Sequence, residues 1–270
     1  MGLGLKNTNI ASNLSAAFDT IDFEILNERL AKSLGINGAV RSWILSYLKG
    51  RQSQVSIAGD LSKKQTMEFG LPQGSVVGPG MFSYYTYPLG KIIQKHKLTY
   101  HIYADDTQIY TEFNPRIPGD SVTALFKLES CIAEIKTWMN VNKLKLNEDK
   151  TEFFVACSKY YLKYIDEPTL NVCGSIIKPS DSVRNLGVHF DSTMSMSSHI
   201  SAVSRSLNYH LRNIGRIRNY IDKDTCNHAV RSLVISRIDY FNSLLSAKDA
   251  TKTAKNSNRA ARPVFKANRI

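Results

Sequence analysis

An α+β body followed by a helix-only, basic module is the fold class predicted by this 270-residue sequence. Three observations predict it. Short β-prone runs flank an acidic turn at 101–110. A long apolar helical period fills 121–142. From His199 onward the chain reads as helix, with Pro263 the one interruption. Mixed helix and antiparallel strand give way to helix alone between Asp191 and Ser198.

The elements follow in order. Residues 1–12 are short of strand formers and carry no period. Helices are predicted at 24–34 (Ile25, Leu26, Leu30) and 38–48 (Val40, Trp43, Ile44, Leu48), stopped by Gly35 and Gly50. Residues 52–57 alternate polar and apolar, with 65–69 as a pairing partner. Gly70 to Ser75 makes a tight turn, and a mostly apolar helix follows to Lys95. Ile102, Tyr103, Ile109 and Tyr110 favour strands around the polar turn Ala104-Asp105-Asp106-Thr107. In the next helix Leu125, Leu128, Ile132, Ile135 and Met139 step by three and four. A turn at 147–150 leads into a strand at 152–157, and further strands are expected at 170–178 and 183–190.

With 43% hydrophobic and 21% charged residues the composition is that of an ordinary globular protein. No run of about 18 apolar residues is present, so no membrane partner is expected. The start shows no secretory or myristoylation signal, and Cys131, Cys157, Cys173 and Cys226 are too widely spaced for a zinc motif. Reduced core cysteines and an intracellular location, nucleus or cytoplasm, are the expectation. The net charge of +12 is uneven: residues 201–270 hold 14 Lys and Arg against 4 Asp and Glu, which leaves only +2 on the first 200. That asymmetry reads as a solvated helix face or as a contact for a polyanion.

Adjacent carboxylates at a hairpin tip can share one cation, but short acids also favour turns for their own backbone bonds. Two-metal phosphoryl transfer needs further oxygen ligands from a neighbouring segment. Three ordered blocks bear on this: Leu-Ser-Ala-Ala-Phe-Asp-Thr-Ile-Asp-Phe at 14–23, Gly-Leu-Pro-Gln-Gly-Ser-Val-Val-Gly-Pro at 70–79 and Tyr-Ala-Asp-Asp at 103–106. Leu-Lys-Leu-Asn-Glu-Asp-Lys-Thr-Glu at 144–152, Val-Arg-Asn-Leu-Gly-Val-His-Phe-Asp at 183–191 and the basic stretch at 199–206 follow in the same order. Together they resemble the reverse transcriptase of non-LTR (LINE-type, jockey-like) retrotransposons, from residue 13 to at least 245.

The resemblance implies a right-hand polymerase palm, an antiparallel sheet with packed helices, over 13–191. A basic, incomplete thumb-like region at 199–270 follows it, and 1–12 lies outside the family pattern. It implies an RNA template, a DNA primer, deoxynucleotide triphosphates and two Mg2+ ions. Asp105 becomes a principal metal ligand and Asp106 its acidic companion. Phe18 resembles the aromatic gate against a 2′-hydroxyl, and Gln73 the contact to the incoming nucleotide, with Gly74 permitting close backbone approach. Lys150 stands at the pyrophosphate side, and Leu186-Gly187 resembles the hairpin that grips the primer end. Arg205, Arg212 and Arg216 share one helical bearing, opposite Ile200, Val203, Leu207 and Leu211, and suit phosphate contacts. Taken without the family, Phe18 reads as a core aromatic, Gln73 as turn chemistry, Lys150 as a surface lysine, and Asp19 and Asp22 as turn and helix-start acids.

The departures matter. The family has an aspartate, the partner metal ligand, where this sequence has Asn13, and usually a histidine where it has Phe23. The fingers that precede this block in the family, and an endonuclease domain, are missing from the sequence, and a truncated copy with impaired catalysis is the expectation. The alternatives are a catalytically inactive nucleic-acid-binding remnant and a domesticated scaffold of the same fold.

Overall fold

A computed structural model describes residues 7–13, 18–147, 150–165 and 168–240. The Pro263 interruption therefore lies outside the described residues. Two compact units divide between Ser180 and Asp181.

In the first unit the elements run β1 (Asn7–Asn13), α1 (Phe23–Lys32), α2 (Gly38–Leu48), four two-residue strands, α3 (Gly78–Lys95), β6 (Thr99–Tyr103), β7 (Asp106–Glu112), α4 (Asp120–Val141), β8 (Glu152–Ala156) and the short α5 (Lys159–Leu162), then a hairpin. The two-residue strands are β2 (Gln52–Ser53), β3 (Ser56–Ile57), β4 (Asp60–Leu61) and β5 (Gln65–Thr66), paired β2 with β5 and β3 with β4. The hairpin is β9 (Leu170–Val172) with β10 (Ser175–Ile177). The main sheet is antiparallel in the order β6-β7-β1-β8.

The first departure from the sequence expectation is β1. Five of its seven residues are weak strand formers, with only Thr8 and Ile10 favouring a strand, yet it lies in the middle of the sheet and pairs on both sides, with β7 from Asn7↔Glu112 to Asn13↔Asp106 and with β8 from Asn7↔Ala156 to Ala11↔Glu152. A strand paired on both edges has its backbone donors and acceptors used by neighbours, and that context outweighs a propensity scale spanning about 1 kcal/mol. The family pattern's first strand is thus present.

Asp22 caps α1 as a helix-start acid should, its carboxylate accepting from the N–H groups of Glu24 (2.9 Å) and Ile25 (3.1 Å). Phe23 opens that helix buried, in the same core as Leu26, Leu30, Phe82, Leu89, Leu128, Ile132 and Phe153. Cys131 is fully buried there, and burial pushes its thiol up to about 12, as an inert core cysteine.

The predicted strands at 170–178 and 183–190 are each split by a two-residue turn. Cys173-Gly174 and Leu186-Gly187 both take positive φ at both positions, the twist a tight antiparallel hairpin requires. A cysteine or leucine before glycine lacks the Asn-Gly signature, so no local residue preference marks these turns, and only the family likeness points to the one at Leu186-Gly187.

One polar network crosses the first unit's interior. The Arg29 guanidinium donates to the Tyr85 carbonyl and to Asn142 Oδ1 (2.6 Å), and stands over the Tyr85 and Trp138 rings at 5.3 and 5.4 Å. The Tyr85 hydroxyl donates to the Asn142 carbonyl at 2.6 Å, and Asn142 Nδ2 to the Trp138 carbonyl at 2.7 Å. This ties α1, α3 and α4 at one point. Burial pushes the Tyr85 hydroxyl up to about 12, so it remains a donor throughout the physiological range.

The second unit holds β11 (Ser182–Asn185), β12 (Val188–Asp191), α6 (Ser197–Ile217), a 3₁₀ turn (Arg218–Tyr220), α7 (Lys223–Val230), a π turn (Arg231–Ile235) and α8 (Ser236–Asp239). Leu207, Ile214, Cys226, Val230, Val234 and Ile238 form its core. The compact boundary comes earlier than 191–198 because the β11–β12 hairpin packs on α6 through Val188, Phe190, Met196 and Ile200. Asp191 fixes the joint. Its carboxylate accepts from Thr193 N–H (3.2 Å) and Oγ1 (2.8 Å) and from Ser195 N–H (2.8 Å) and Oγ (2.9 Å). Desolvation raises this carboxyl, but the four bonds outweigh it and hold it below the ordinary value.

Tyr85→Phe leaves the buried Asn142 carbonyl without its donor, and the expected cost is about 1–3 kcal/mol. Thermal unfolding should fall by roughly 2–4 °C for each kcal/mol lost. An unchanged midpoint would remove the network's claim to stability.

Candidate functional site

The acidic hairpin is tighter than its sequence suggests. Tyr103 pairs with Asp106, so the turn is only Ala104-Asp105, while Asp106 and Thr107 already belong to β7. Ala104 sits at φ +52°, a left-handed position for a residue with a Cβ. Such a position costs about 1–3 kcal/mol and persists only where the flanking structure over-determines it. Here the β6–β7 ladder on both sides does so.

The two carboxylates are half-buried neighbours. Desolvation, followed by the charge of Asp105, raises the Asp106 carboxyl above the usual carboxylate range. Two like charges at one tip form a pair whose repulsion a cation relieves. The β1–β7 register adds the third position: Asn13 is the cross-strand partner of Asp106. Antiparallel partners have Cα atoms about 4.5–5.5 Å apart. The position that the family pattern gives to the other metal ligand therefore lies one ladder step across from the hairpin acids, and here it holds an asparagine. Among the described residues no group of three or more His, Cys, Asp or Glu side chains is placed to hold a metal ion. The acids present fit a divalent cation as half of a ligand set.

Lys150 is exposed, its N–H donating to Asn147 Oδ1 at 3.2 Å. Glu152 pairs with Ala11, so Lys150 lies two residues beyond the end of the β1–β8 ladder, at the same end of the sheet as Asn13 and Asp106.

The first two sequence blocks also meet. Leu71 N–H donates to the Phe18 carbonyl at 2.7 Å, and Gly70 N–H to the Ile21 carbonyl at 2.8 Å. Gly70 has φ +88°, and a Cβ there would stand 2.9 Å from the Asp19 carbonyl oxygen, so the approach admits only glycine. Arg51 braces the same turn, donating to the carbonyls of Gly70 and, at 3.0 Å, Leu48. Gln73 is exposed and donates through Nε2 to Asp19 Oδ1 at 3.1 Å. Gly74 adopts φ +75°, and a Cβ there would meet no atom within 4 Å, so its glycine serves the backbone twist rather than a close approach within the chain. Phe18 is half-buried and stacks on Phe82, centroids 4.8 Å apart, joining the core while standing at the head of this cluster.

The sequence alone presents Asp19 as a turn acid and gives Arg51 no role. In the fold Asp19 orients the Gln73 amide, and Arg51 holds the turn that presents it. The adjacency of Asp19 to Phe18 is the available signal; Arg51 leaves none.

In the second unit Arg205, Arg212 and Arg216 lie on α6 away from its buried residues Ile200, Leu207 and Ile214, and the exposed Tyr209 lies among them. The Leu186-Gly187 turn is held by the Tyr240 hydroxyl, which donates to the Leu186 carbonyl at 2.8 Å. Among the described residues no helix is long and apolar enough to cross a membrane.

Comparison with known proteins identifies the family. The family described as reverse transcriptase (RNA-dependent DNA polymerase) matches residues 6–190. The chain is 23% identical over 168 residues to the RNA-directed DNA polymerase from mobile element jockey of Drosophila melanogaster, covering 60% of this chain and 17% of that protein. To the corresponding Drosophila funebris protein it is 25% identical over 181 residues, covering 65% of this chain and 19% of that one. To the probable RNA-directed DNA polymerase from transposon BS of Drosophila melanogaster it is 27% identical over 168 residues, covering 59% and 17%. The chain thus spans less than a fifth of the length of these relatives. Among solved structures, apo telomerase from Candida tropicalis has the same fold at a TM-score of 0.52 and 11% identity, covering 98% of this chain and 42% of that one. The family match begins one residue before β1 and ends one residue short of the end of β12, taking in the blocks at 14–23, 70–79, 103–106 and 144–152; by it the chain belongs to the reverse transcriptase (RNA-dependent DNA polymerase) family, as a retrotransposon reverse transcriptase domain.

Proposed function

We propose that this domain is built for RNA-directed DNA polymerisation by metal-assisted nucleotidyl transfer at Asp105 and Asp106, and that Asn13 leaves its turnover strongly reduced. One observation carries the reading: position 13 is the register partner of Asp106, so the substitution falls on the metal-ligating constellation itself. In the reaction the primer 3′-oxygen bonds to the α-phosphorus of a deoxynucleotide triphosphate, and the bond to pyrophosphate breaks. Divalent cations, Mg2+ by preference, supply charge neutralisation on the phosphates and a more acidic 3′-hydroxyl when bound. Asp105 and Asp106 hold that charge. Phe18 and the Asp19-oriented Gln73 position the sugar and base of the incoming nucleotide, and Lys150 faces the departing pyrophosphate. An RNA template and a DNA primer are the partners.

An amide oxygen at position 13 ligates a hard cation more weakly than a carboxylate. If about 4 kcal/mol of transition-state stabilisation is lost, turnover falls by roughly a thousandfold. A second reading, nucleic-acid binding without catalysis, is favoured by the same Asn13 together with the arginine face of α6.

Primer extension on an RNA template with Mg2+ tests the first reading. The chain as it stands should extend at trace level, Asn13→Asp should raise extension by roughly a thousandfold, and Asp105→Ala should abolish what either shows. Robust extension by the unaltered chain that survives Asp105→Ala would sink it.

Stability gives an independent readout. Because the Asp106 carboxyl is raised in the folded state, ionising it costs stability as the pH rises through the acid range, and the full penalty persists at neutral pH. Asp106→Asn should therefore raise the melting temperature in EDTA at pH 7 and abolish the stabilisation given by Mg2+. A variant that melts lower in EDTA, or that still gains from Mg2+, contradicts this account of the hairpin.

For binding, Arg205, Arg212 and Arg216 predict a steep fall in template–primer affinity with salt, and Arg212→Ala should reduce the log–log slope by about one. A flat salt response of the unaltered chain removes the α6 contact.

A further inference from the structure

The segment 159–164 reads Lys-Tyr-Tyr-Leu-Lys-Tyr and contains α5. None of its three tyrosines belongs to the first unit's core, and Tyr160 and Tyr164 are 54% and 41% exposed. They are nonetheless ordered against one another. Tyr160 meets Tyr161 edge-on at 5.2 Å and Tyr164 at 6.0 Å. Arg116, from the loop between β7 and α4, has its guanidinium 5.3, 5.1 and 5.9 Å from the Tyr160, Tyr161 and Tyr164 rings and donates to the Tyr160 hydroxyl at 3.0 Å. The Lys163 ammonium stands 4.9 Å from the Tyr160 and Tyr164 rings alike.

Each exposed cation–π contact is worth only about 0.5–1 kcal/mol. Their sum does little for folding, but it fixes the orientation of rings and cations before any ligand arrives, which lowers the entropic cost of binding. Aromatic faces interleaved with cations, with no acid between 159 and 164, match one ligand chemistry closely. Unpaired bases stack on rings while their phosphates meet Arg and Lys. A base-paired duplex offers phosphates but no free base faces, and an acidic peptide offers carboxylates but no stacking partner.

We propose that Arg116, Tyr160, Lys163 and Tyr164 form a single-stranded nucleic-acid platform, built from residues other than those of the Asp105–Asp106 hairpin and of the α6 arginine face. It does not depend on whether the hairpin catalyses, since binding is measured without turnover.

The test uses the full chain with fluorescent oligouridylate, oligothymidylate and a blunt duplex, read by anisotropy. Tyr160→Ala with Tyr164→Ala should weaken both single strands by about fivefold per ring, the equivalent of about 1 kcal/mol of stacking for each base. Tyr160→Phe with Tyr164→Phe should keep single-strand affinity within about twofold, because the ring faces remain. Arg212→Ala should weaken the duplex while sparing the tyrosine-dependent difference. An oligouridylate bearing 5-bromouracil should photo-crosslink to the unaltered chain at Arg116 or within 159–164. Equal loss with the Phe and Ala pairs would overturn the proposal, as would competition by polyglutamate as effective as by oligonucleotide. Absence of crosslinks from those residues would overturn it even if the Ala pair failed to fold.

Discussion

The two-sided ladder of β1 is the constraint on which the candidate site depends. β6 and β7 make a hairpin by themselves, and β8 arrives from beyond α4; among the described strands β1 joins them. It does so with a mostly polar sequence in which only Thr8 and Ile10 favour a strand. Pairing with β7 from Asn7↔Glu112 to Asn13↔Asp106 sets a register in which a slip of one residue would move position 13 away from Asp106 and reverse the face of every residue on the strand. The placement of position 13 opposite Asp106 is thus set by the backbone ladder.

The stabilising network and the candidate site are separate in this domain. Arg29, Tyr85, Asn142 and Trp138 satisfy one another's polar groups where α1, α3 and α4 converge, and the surrounding core is apolar. The hairpin tip does the reverse. Ala104 is held in a left-handed conformation, and Asp106 is desolvated beside a like charge. Unfavourable terms gathered at one tip and supported by a well-satisfied body are what a site poised for cation binding requires. The turn at Gly70 follows the same logic: a close approach that excludes any Cβ, braced by Arg51, sets Gln73 against Asp19.

Much of this is legible in the residues. The period of α4 marks it to within a residue at either end, because a helix on a sheet buries one stripe and the stripe is written in apolar spacing. The acidic hairpin is legible because β-prone residues flank a polar pair. The turn Cys173-Gly174 is not, and Leu186-Gly187 is legible only through the family likeness, since cysteine and leucine carry no local preference for positive φ and adopt it only when the flanking strands close on each other. Arg51 is invisible as a support, and Asp19 is marked only by standing beside Phe18, because a hydrogen bond between loops distant in sequence has no period to betray it.

By itself the sequence determined the family, through ordered blocks, and it determined that Asn13 stands where the family pattern has an aspartate, because that residue occupies a fixed place beside the first block. Tertiary structure alone decided that the polar segment ending at Asn13 is a central strand and that position 13 stands opposite Asp106. It also decided that the β11–β12 hairpin belongs with the helical unit. The physical reason is common to all three. Strand pairing and hairpin docking are settled by partners elsewhere in the chain, whose backbone groups and apolar faces no local pattern records.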